Sequence, residues 1–224
     1  MMESGNFVYI NYVGRIKETG EIFDLTKEDV AKKEKIYSEK IKYGPAPFIV
    51  DAGFVIRGLN DCVKGMEVGE KKEVEIEPER GFGERSEHMI KIIPEARFKE
   101  QNMDIAPGSF VTVNNFRGKV LSIDGGRVKI DFNHPLAGKT LLYEIEIIKK
   151  IEDEDEKVKA VVYYFTGLQN NEIDVKVDGN FAEIELKEKI DLPLNLKKAM
   201  ADQIIMWVKG REKIRFVESY EKSQ

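Results

Sequence analysis

The sequence predicts an α+β protein built from short antiparallel strands and a few helices. Apolar and charged residues alternate between Lys72 and Glu77, which is the period of a half-buried strand. Glycine turns separate such runs, most clearly at Asp124-Gly125-Gly126, and this pattern favours a hairpin. One long segment from about Pro193 instead repeats its apolar residues at helical spacing. Together these patterns predict the mixed class.

Length and composition indicate a globular protein of two or three domains, because 224 residues exceed the usual size of one. The net charge of -5 argues against nucleic acid as the main partner. The sequence has no apolar run of transmembrane length, so no membrane partner is expected. The single cysteine, Cys62, is interpreted as a small buried hydrophobe. A single cysteine cannot form a disulfide within the chain, so a reducing, cytoplasmic location is expected.

The first part of the chain alternates between strands and one helix. A strand is predicted from Phe7 to Ile16. Thr26, with Asp29 three residues later, predicts a capped helix over residues 27–40. Further elements expected here are a turn at 19–21 and strands at 22–24, 48–50 and 72–77.

The segment from residue 84 to residue 132 is expected to form a unit of its own. It opens with the apolar stretch 88–93, and its predicted elements are a short helix at 94–99, with Pro94 in its first turn, and strands at 110–113, 119–123 and 127–132. A long apolar strand then follows within residues 133–152. That strand should pair with the first part of the chain.

The C-terminal part is expected to be a separate α+β unit. The acidic run 152–156 is interpreted as a solvated linker. Beyond it the pattern predicts strands at 160–165, 172–177, 181–186 and 213–217 and a helix from Pro193 that Gly210 ends, with an apolar stripe formed by Leu196, Ala199, Met200, Ile204, Trp207 and Val208. Ile205 and Met206 lie outside this stripe. A homodimer through this unit is therefore expected, with a monomeric spacer as the alternative.

Three segments carry a resemblance to a known family. "VYINYVGRIKETGEIFD", "PFIVDAGFVIRGLNDCVKGMEVGEKKEVEIEPERGFG" and "NHPLAGKTLLYEIEII" resemble the core of the FKBP-type peptidyl-prolyl isomerases. The resemblance implies an FKBP-type antiparallel sheet with a short helix, formed by residues 1–83 plus 133–152. Residues 84–132 stand where SlyD-like members carry an insert-in-flap chaperone domain. With residues 157–224 as an added α+β domain, the chain resembles a long-type archaeal FKBP.

The resemblance also implies a proline-binding site. Its members are Tyr12, Phe23, Asp24, Phe48, Val55, Ile56, Leu59, Phe82 and Tyr143. Phe23, Phe48 and Tyr143 are expected to form aromatic walls. Val55 and Ile56 would supply an aliphatic edge, and Asp24 would orient a tyrosine hydroxyl. Leu136 is a further candidate for closing the pocket. Taken one at a time, these are ordinary core or turn residues, and only their joint order favours a site.

The implied reaction explains why the candidate site holds so little acid–base chemistry. Rotation about a peptide bond crosses a barrier of about 18–20 kcal/mol that amide resonance sets. A dry apolar pocket favours the twisted transition state without a covalent step, so no cofactor is expected. The family often has Trp where this chain has Leu59 and Tyr where it has Phe82, which argues against tight macrolide binding. His88 and His134 are the only histidines, and no metal site is expected.

The insert is expected to bind unfolded chains. Its apolar residues are Met89, Ile90, Ile92, Ile93, Phe98 and Met103. They could be its core, but a unit of this size can hardly bury them all, so an exposed groove is predicted. The leading hypothesis is an isomerase acting on unfolded or nascent polypeptides with X–Pro bonds that the insert holds. The alternative is a holdase with little isomerase activity. A C-terminal segment that recruits one dedicated partner is the third possibility.

Overall fold

The computed structural model describes residues 1–187 and 190–219, and these residues form three sheets and five α-helices. The strands are β1 (Phe7–Ile16), β2 (Ile22–Leu25), β3 (Ala46–Ile49), β4 (Lys71–Ile76), β5 (Ile90–Pro94), β6 (Phe110–Val113), β7 (Phe116–Asp124), β8 (Arg127–Asp131), β9 (Leu141–Lys150), β10 (Ile173–Asp178), β11 (Phe181–Leu186) and β12 (Lys213–Val217). The helices are α1 (Glu28–Lys33), α2 (Arg57–Lys64), α3 (Ala96–Glu100), α4 (Glu154–Thr166) and α5 (Leu194–Trp207). The predicted α+β class is confirmed.

The first sheet has the order β2-β1-β9-β4, and β3 pairs with β1 as well. All its pairings are antiparallel. Helix α2 packs on one face of this sheet through Leu59, Cys62 and Val63, which are buried. The approach is close, because a β-carbon at Gly58 would lie 2.4 Å from Ile76 Cγ2. The predicted pairing of the long strand β9 with the first part of the chain is confirmed.

Helix α1 is much shorter than the predicted helix over 27–40. Thr26 is not its cap, because the N-cap is Lys27 and makes no side-chain capping bond. Instead, Thr26 Oγ1 accepts the Tyr12 N–H at 2.9 Å and bonds to Asn11. The threonine is thus used to join this segment to β1. Lys35 has a φ of 60°, which interrupts the helical backbone.

The insert forms a four-stranded antiparallel sheet in the order β5-β8-β7-β6. The hairpin at Gly125 and Gly126 is confirmed, and both glycines have positive φ. Pro94 was predicted to lie in the first turn of a helix, but it ends β5 opposite Arg127. Helix α3 therefore starts later, at Ala96. The insert has its own hydrophobic core, formed by Phe98, Val111, Val120, Val128 and Ile130.

The acidic run before the C-terminal segment is the beginning of a helix and not a linker. Asp153 accepts the Glu156 N–H at 2.9 Å, and three acidic residues occupy the first turn of α4. The strand predicted at 160–165 is also wrong, because these residues are the last turns of α4. Gly167, with a φ of 71°, ends the helix. The remaining strands of this segment form the sheet β10-β11-β12, in which β11 and β12 are parallel.

The C-terminal segment packs against the first sheet on the face opposite α2. One hydrophobic core contains Phe7, Tyr9 and Ile49 from that sheet together with Val161 of α4 and Met200 of α5. Of the predicted stripe, Met200 and Ile204 of α5 are buried, as is Val208 directly after the helix, whereas Ala199 is exposed. Among residues 1–187 and 190–219, no helix has the length and apolar character needed to cross a membrane.

Candidate active site

A tyrosine–carboxylate pair lies at the centre of the candidate site. The Tyr12 hydroxyl of β1 donates to Asp24 Oδ2 of β2 at 2.8 Å. Burial raises the pKa of Tyr12, and the Asp24 carboxylate raises it further. The hydroxyl therefore stays protonated and keeps a fixed direction. Asp24 itself is exposed, so one edge of the pair is open to a ligand.

Two further aromatic rings meet this pair. The Tyr143 ring of β9 lies 5.9 Å from the Tyr12 ring and 5.6 Å from the Phe23 ring, which it meets edge-on. These are favourable separations for aromatic pairs. Tyr143 is only 5% exposed, and burial followed by the Asp24 charge raises its pKa. The rings form a dry wall beside a single polar pair.

Gly14 allows these rings to converge. It pairs with Asp24 in β2 and with Tyr143 in β9. A β-carbon at Gly14 would lie 2.7 Å from Phe23 Cζ and 3.1 Å from Tyr143 Cε1, which is closer than ordinary contact. The glycine thus provides the space that the aromatic wall occupies.

Gly14→Ala is expected to displace the Phe23 or Tyr143 ring and to lower kcat/KM for a proline-containing peptide by about tenfold or more. The overpacked site should also reduce the free energy of unfolding by about 1–3 kcal/mol. A peptide isomerisation assay and urea unfolding measure the two effects. Gly65→Ala is the matched control, since its β-carbon would meet nothing closer than Cys62 O at 3.7 Å. A Gly14→Ala protein with full activity would contradict the role of Gly14 in making space for the Phe23 and Tyr143 rings.

The loop before α2 presents the aliphatic edge. Val55 and Ile56 stand where the loop enters the helix, and Ile56 is its N-cap. Asp51 anchors the other end of the loop: Asn60 Nδ2 donates to Asp51 Oδ1 at 2.7 Å, and the Lys64 ammonium lies 2.7 Å from Oδ2. These contacts, Lys64 foremost, lower the pKa of Asp51. The edge is therefore held rigidly against the helix.

Phe82 stacks on a histidine that the sequence analysis considered only as a metal ligand. The Phe82 and His134 rings are parallel, with centroids 4.2 Å apart. His134 Nδ1 accepts the Leu136 N–H at 3.1 Å, which fixes the imidazole. Both Phe82 and Leu136 pack against the same hydrophobic cluster as Tyr12. The return from the insert thus contributes to the site.

Comparison with known proteins decides the family. The family model described as "FKBP26, IF domain" matches residues 91–136, and the model described as "FKBP26_C-terminal" matches residues 154–221. A short-type peptidyl-prolyl cis-trans isomerase of Methanocaldococcus jannaschii is 36% identical over 147 residues, which cover 66% of this chain and 92% of that relative. The chain belongs to the FKBP-type peptidyl-prolyl cis-trans isomerases.

Other relatives of this isomerase carry the same family name. A probable FKBP-type 16 kDa isomerase of Pseudomonas fluorescens is 40% identical over 109 residues, covering 46% of this chain and 71% of the relative. A SlyD isomerase of Helicobacter pylori is 27% identical over 129 residues, covering 56% and 69% respectively. The predicted long-type, SlyD-like membership and the enzyme class are confirmed. The alternative of a holdase with little isomerase activity is not favoured.

Most of the implied site residues of this isomerase come together in the structure. Those on the partly buried edge of the hydrophobic cluster are Tyr12, Phe23, Val55, Ile56 and Phe82. Tyr143 and Leu59 form deeper parts of that cluster. Phe48 requires a correction: it is 1% exposed and pairs with Val8 on the inner face of the sheet. It is a core residue behind the site and not an aromatic wall.

The insert residues also divide between surface and core. Met89 and Ile92 are 40% and 64% exposed, as a binding surface requires. Phe98 requires a correction, because it is only 3% exposed and belongs to the core of the insert, against which Ile93 and Met103 also pack. Ile90 is half-buried. The sequence analysis missed three exposed apolar residues of the insert: Phe110, Phe116 and Leu121.

Cys62 is a free, buried thiol, as predicted, and burial raises its pKa. In the described ranges 1–187 and 190–219, no group of three His, Cys, Asp or Glu side chains is arranged to hold a metal ion.

Proposed function

We propose that the isomerase binds X–Pro segments in the space bordered by the aromatic wall, the aliphatic edge and Phe82. The proposed site residues are Tyr12, Phe23, Asp24, Val55, Ile56, Leu59, Phe82 and Tyr143. The observation that carries the proposal is the Tyr12–Asp24 bond of 2.8 Å beside the buried Tyr143 ring. One oriented polar pair within an apolar cluster suits a reaction that needs no nucleophile.

The chemistry follows from the electronic structure of the X–Pro bond. Its cis form lies only about 0.5–1 kcal/mol above trans, so the barrier and not the equilibrium limits the exchange. Twisting the bond removes conjugation and makes the carbonyl less polar. A pocket that excludes water therefore destabilises the planar, solvated form relative to the twisted one. In this mechanism Phe23 and Tyr143 enclose the proline ring, and the Ile56 N–H holds a substrate carbonyl.

The proposed insert domain, residues 84–132, holds the unfolded polypeptide close to this pocket. Its surface carries the exposed apolar side chains Met89, Ile92, Phe110 and Phe116. Arg117 lies over the Phe110 ring with its guanidinium carbon 4.4 Å from the centroid, so the surface is both apolar and cationic. Such a surface suits polypeptides of varied sequence. Binding there raises the local concentration of substrate prolines.

The domain limits are part of the same proposal. Residues 1–83 plus 133–152 form the isomerase domain, in agreement with the continuous first sheet. For the C-terminal domain we move the start from residue 157 to 154, because helix α4 begins there. A cytoplasmic location is supported by the single free cysteine.

A refolding assay with a protein whose folding is limited by proline isomerisation tests the proposed function. The intact chain should accelerate the slow phase at concentrations well below that of the substrate protein. A holdase would instead suppress aggregation and leave the rate of the slow phase unchanged or lower. The catalytic effect on that phase therefore separates the two hypotheses.

We also propose that the C-terminal domain pairs two copies of the chain. Ile205 and Met206 of α5 are exposed, Met206 by 66%. Ile205→Asp with Met206→Asp is expected to convert a dimer to a monomer, because charges in an apolar interface are costly. Light scattering at micromolar concentration measures the mass. Ile36→Asp, at another exposed apolar residue, is the control. A monomeric unaltered protein would rule out the dimer.

A further inference from the structure

The loop that leads into the aliphatic edge of the site has no regular structure of its own. Residues 51–56 belong to neither a helix nor a strand. Asp51 and Gly53 have positive φ values of 63° and 77°, so the chain bends before it enters α2. Asn60 holds Asp51 at the beginning of the loop. The position of the second half therefore depends on what the side chains of residues 54–56 contact.

Adjacent side chains of this loop pack against two different cores. Val55 and Ile56 pack against the cluster that contains Tyr143. Phe54 instead packs against the cluster that the first sheet shares with helices α4 and α5. Because one peptide bond joins Phe54 to Val55, the aliphatic edge cannot move far unless Phe54 moves as well. The contacts of Phe54 thus help to fix the edge.

Phe54 contacts two aromatic residues of α4. It stacks on Tyr164 with ring centroids 4.3 Å apart and planes 13° apart. Phe165 meets the Phe54 ring edge-on, with centroids 6.0 Å apart. An edge-to-face contact of that separation is a favourable arrangement of aromatic rings. Helix α4 therefore supplies two ring contacts that hold Phe54.

Tyr164 is itself fixed relative to the first sheet. Its hydroxyl donates to the Pro47 carbonyl of β3 at 2.8 Å. Val158 and Val161 of the same helix are fully buried in one cluster with Phe7 of β1. Moving α4 away from the sheet would expose these apolar side chains to water, which is unfavourable. The Tyr164 ring thus has a fixed place relative to the strands that carry the site.

We propose that Tyr164 is a positioning residue of the isomerase, which acts through Phe54 to hold the Val55–Ile56 edge against a bound substrate. The C-terminal domain thereby supports catalysis without touching the substrate through this residue. The inference rests on the proposed function, in which the Ile56 N–H holds a substrate carbonyl. When Phe54 loses its contacts with α4, the loop can adopt other positions, and this N–H is no longer held in line with the carbonyl.

Two substitutions at Tyr164 in the full-length chain test the proposal. Tyr164→Ala removes the ring that stacks on Phe54, whereas Tyr164→Phe keeps the ring and loses only the hydroxyl. For Tyr164→Ala, KM for a proline tetrapeptide should rise about three- to tenfold, the value of one hydrogen bond. Since that bond is made in the ground state and in the transition state alike, kcat should stay within about twofold. Tyr164→Phe should keep KM within about twofold and lower only the melting temperature.

Two further variants separate positioning from stability. Met200→Ala truncates a fully buried side chain of α5 in the same core, so it should lower the melting temperature and leave KM within about twofold. Partial unfolding would reduce the amount of active protein and lower the apparent kcat alone. Phe54→Ala should raise KM as Tyr164→Ala does. The variant with both changes should resemble Phe54→Ala, because the two changes remove the same contact.

The possible outcomes distinguish this inference from the proposed function. An unchanged KM in folded Tyr164→Ala, with an active unaltered protein, overturns the positioning role and leaves the proposed function standing. Tyr164→Leu replaces Tyr164→Ala in the assay if that variant is unfolded. An equal rise of KM in Met200→Ala, or full additivity of the Tyr164→Ala and Phe54→Ala effects, also overturns the role. Failure of the unaltered protein to isomerise the tetrapeptide overturns the proposed function and this inference together.

Discussion

Alanine at both Asp24 and Tyr143 is expected to lower kcat/KM for a proline tetrapeptide by about 10²-fold or more. The first change removes the acceptor that holds the Tyr12 hydroxyl at 2.8 Å. The second removes the ring that contacts both Tyr12 and Phe23. Water then enters the pocket, and the planar substrate is no longer disfavoured relative to the twisted transition state. The same fall should be measured in proline-limited refolding.

The double variant needs a fold control, because removing a buried aromatic ring costs about 3–5 kcal/mol of stability. Circular dichroism and thermal unfolding identify whether the protein is folded at the assay temperature. Asp24→Ala with Tyr143→Phe keeps the ring and replaces the first variant in the activity assay if that variant is unfolded. Asp29→Ala with Tyr43→Ala removes the same chemical groups outside the proposed site and should remain active. A folded double variant with unchanged kcat/KM would contradict the proposed site.

Strands with regular alternation were predictable because their local pattern matches their burial. The strands β4 and β9 were identified by period two, because their less exposed residues alternate with more exposed ones. The strand β1 was identified by its continuous apolar run, and it is buried on both faces. The hairpin at Gly125 and Gly126 was equally local, since its turn demands positive φ. These elements need no information from distant residues.

The segment 160–165 was misread because its burial depends on partners far away. Its β-branched and aromatic residues are typical of a strand, but α4 packs on the first sheet, on α5 and on β10, so apolar residues surround the helix. The stronger signals lay at its ends. Asp153 with Glu156 begins the helix, and Gly167 ends it. Weighing these ends above the composition between them would have identified the helix.

The residues of the candidate site could be proposed from the sequence, but which of them are buried in the core could not. Phe48 and Phe98 fall on core faces only because of their neighbours in the folded sheets, which no single-strand pattern specifies. Gly14 was visible as an isolated glycine within a strand, a known sign of close approach.

Replacing residues 85–131 by a short loop is expected to leave tetrapeptide isomerisation within about threefold of the intact protein. The two ends of the insert lie together, since the Arg85 guanidinium is 2.6 Å from Asp131 Oδ2 and the Ser86 N–H donates to Asn133 Oδ1 at 2.9 Å. A short loop can therefore close the gap without pulling Phe82 or His134 away from the site.

Catalysis on an unfolded protein should fall by about 10²-fold in the same variant, because a tethered second binding surface raises the effective substrate concentration by that order. Ile92→Ser with Phe110→Ser in the intact chain should reproduce much of this loss, since both side chains are exposed on the insert. Lys91→Ser with Lys99→Ser, which removes exposed charges from the same unit, is the matched control. Equal losses on the tetrapeptide and the unfolded protein would mean that the insert only supports the pocket. A loss on the unfolded protein alone would instead mean that the insert binds the unfolded polypeptide.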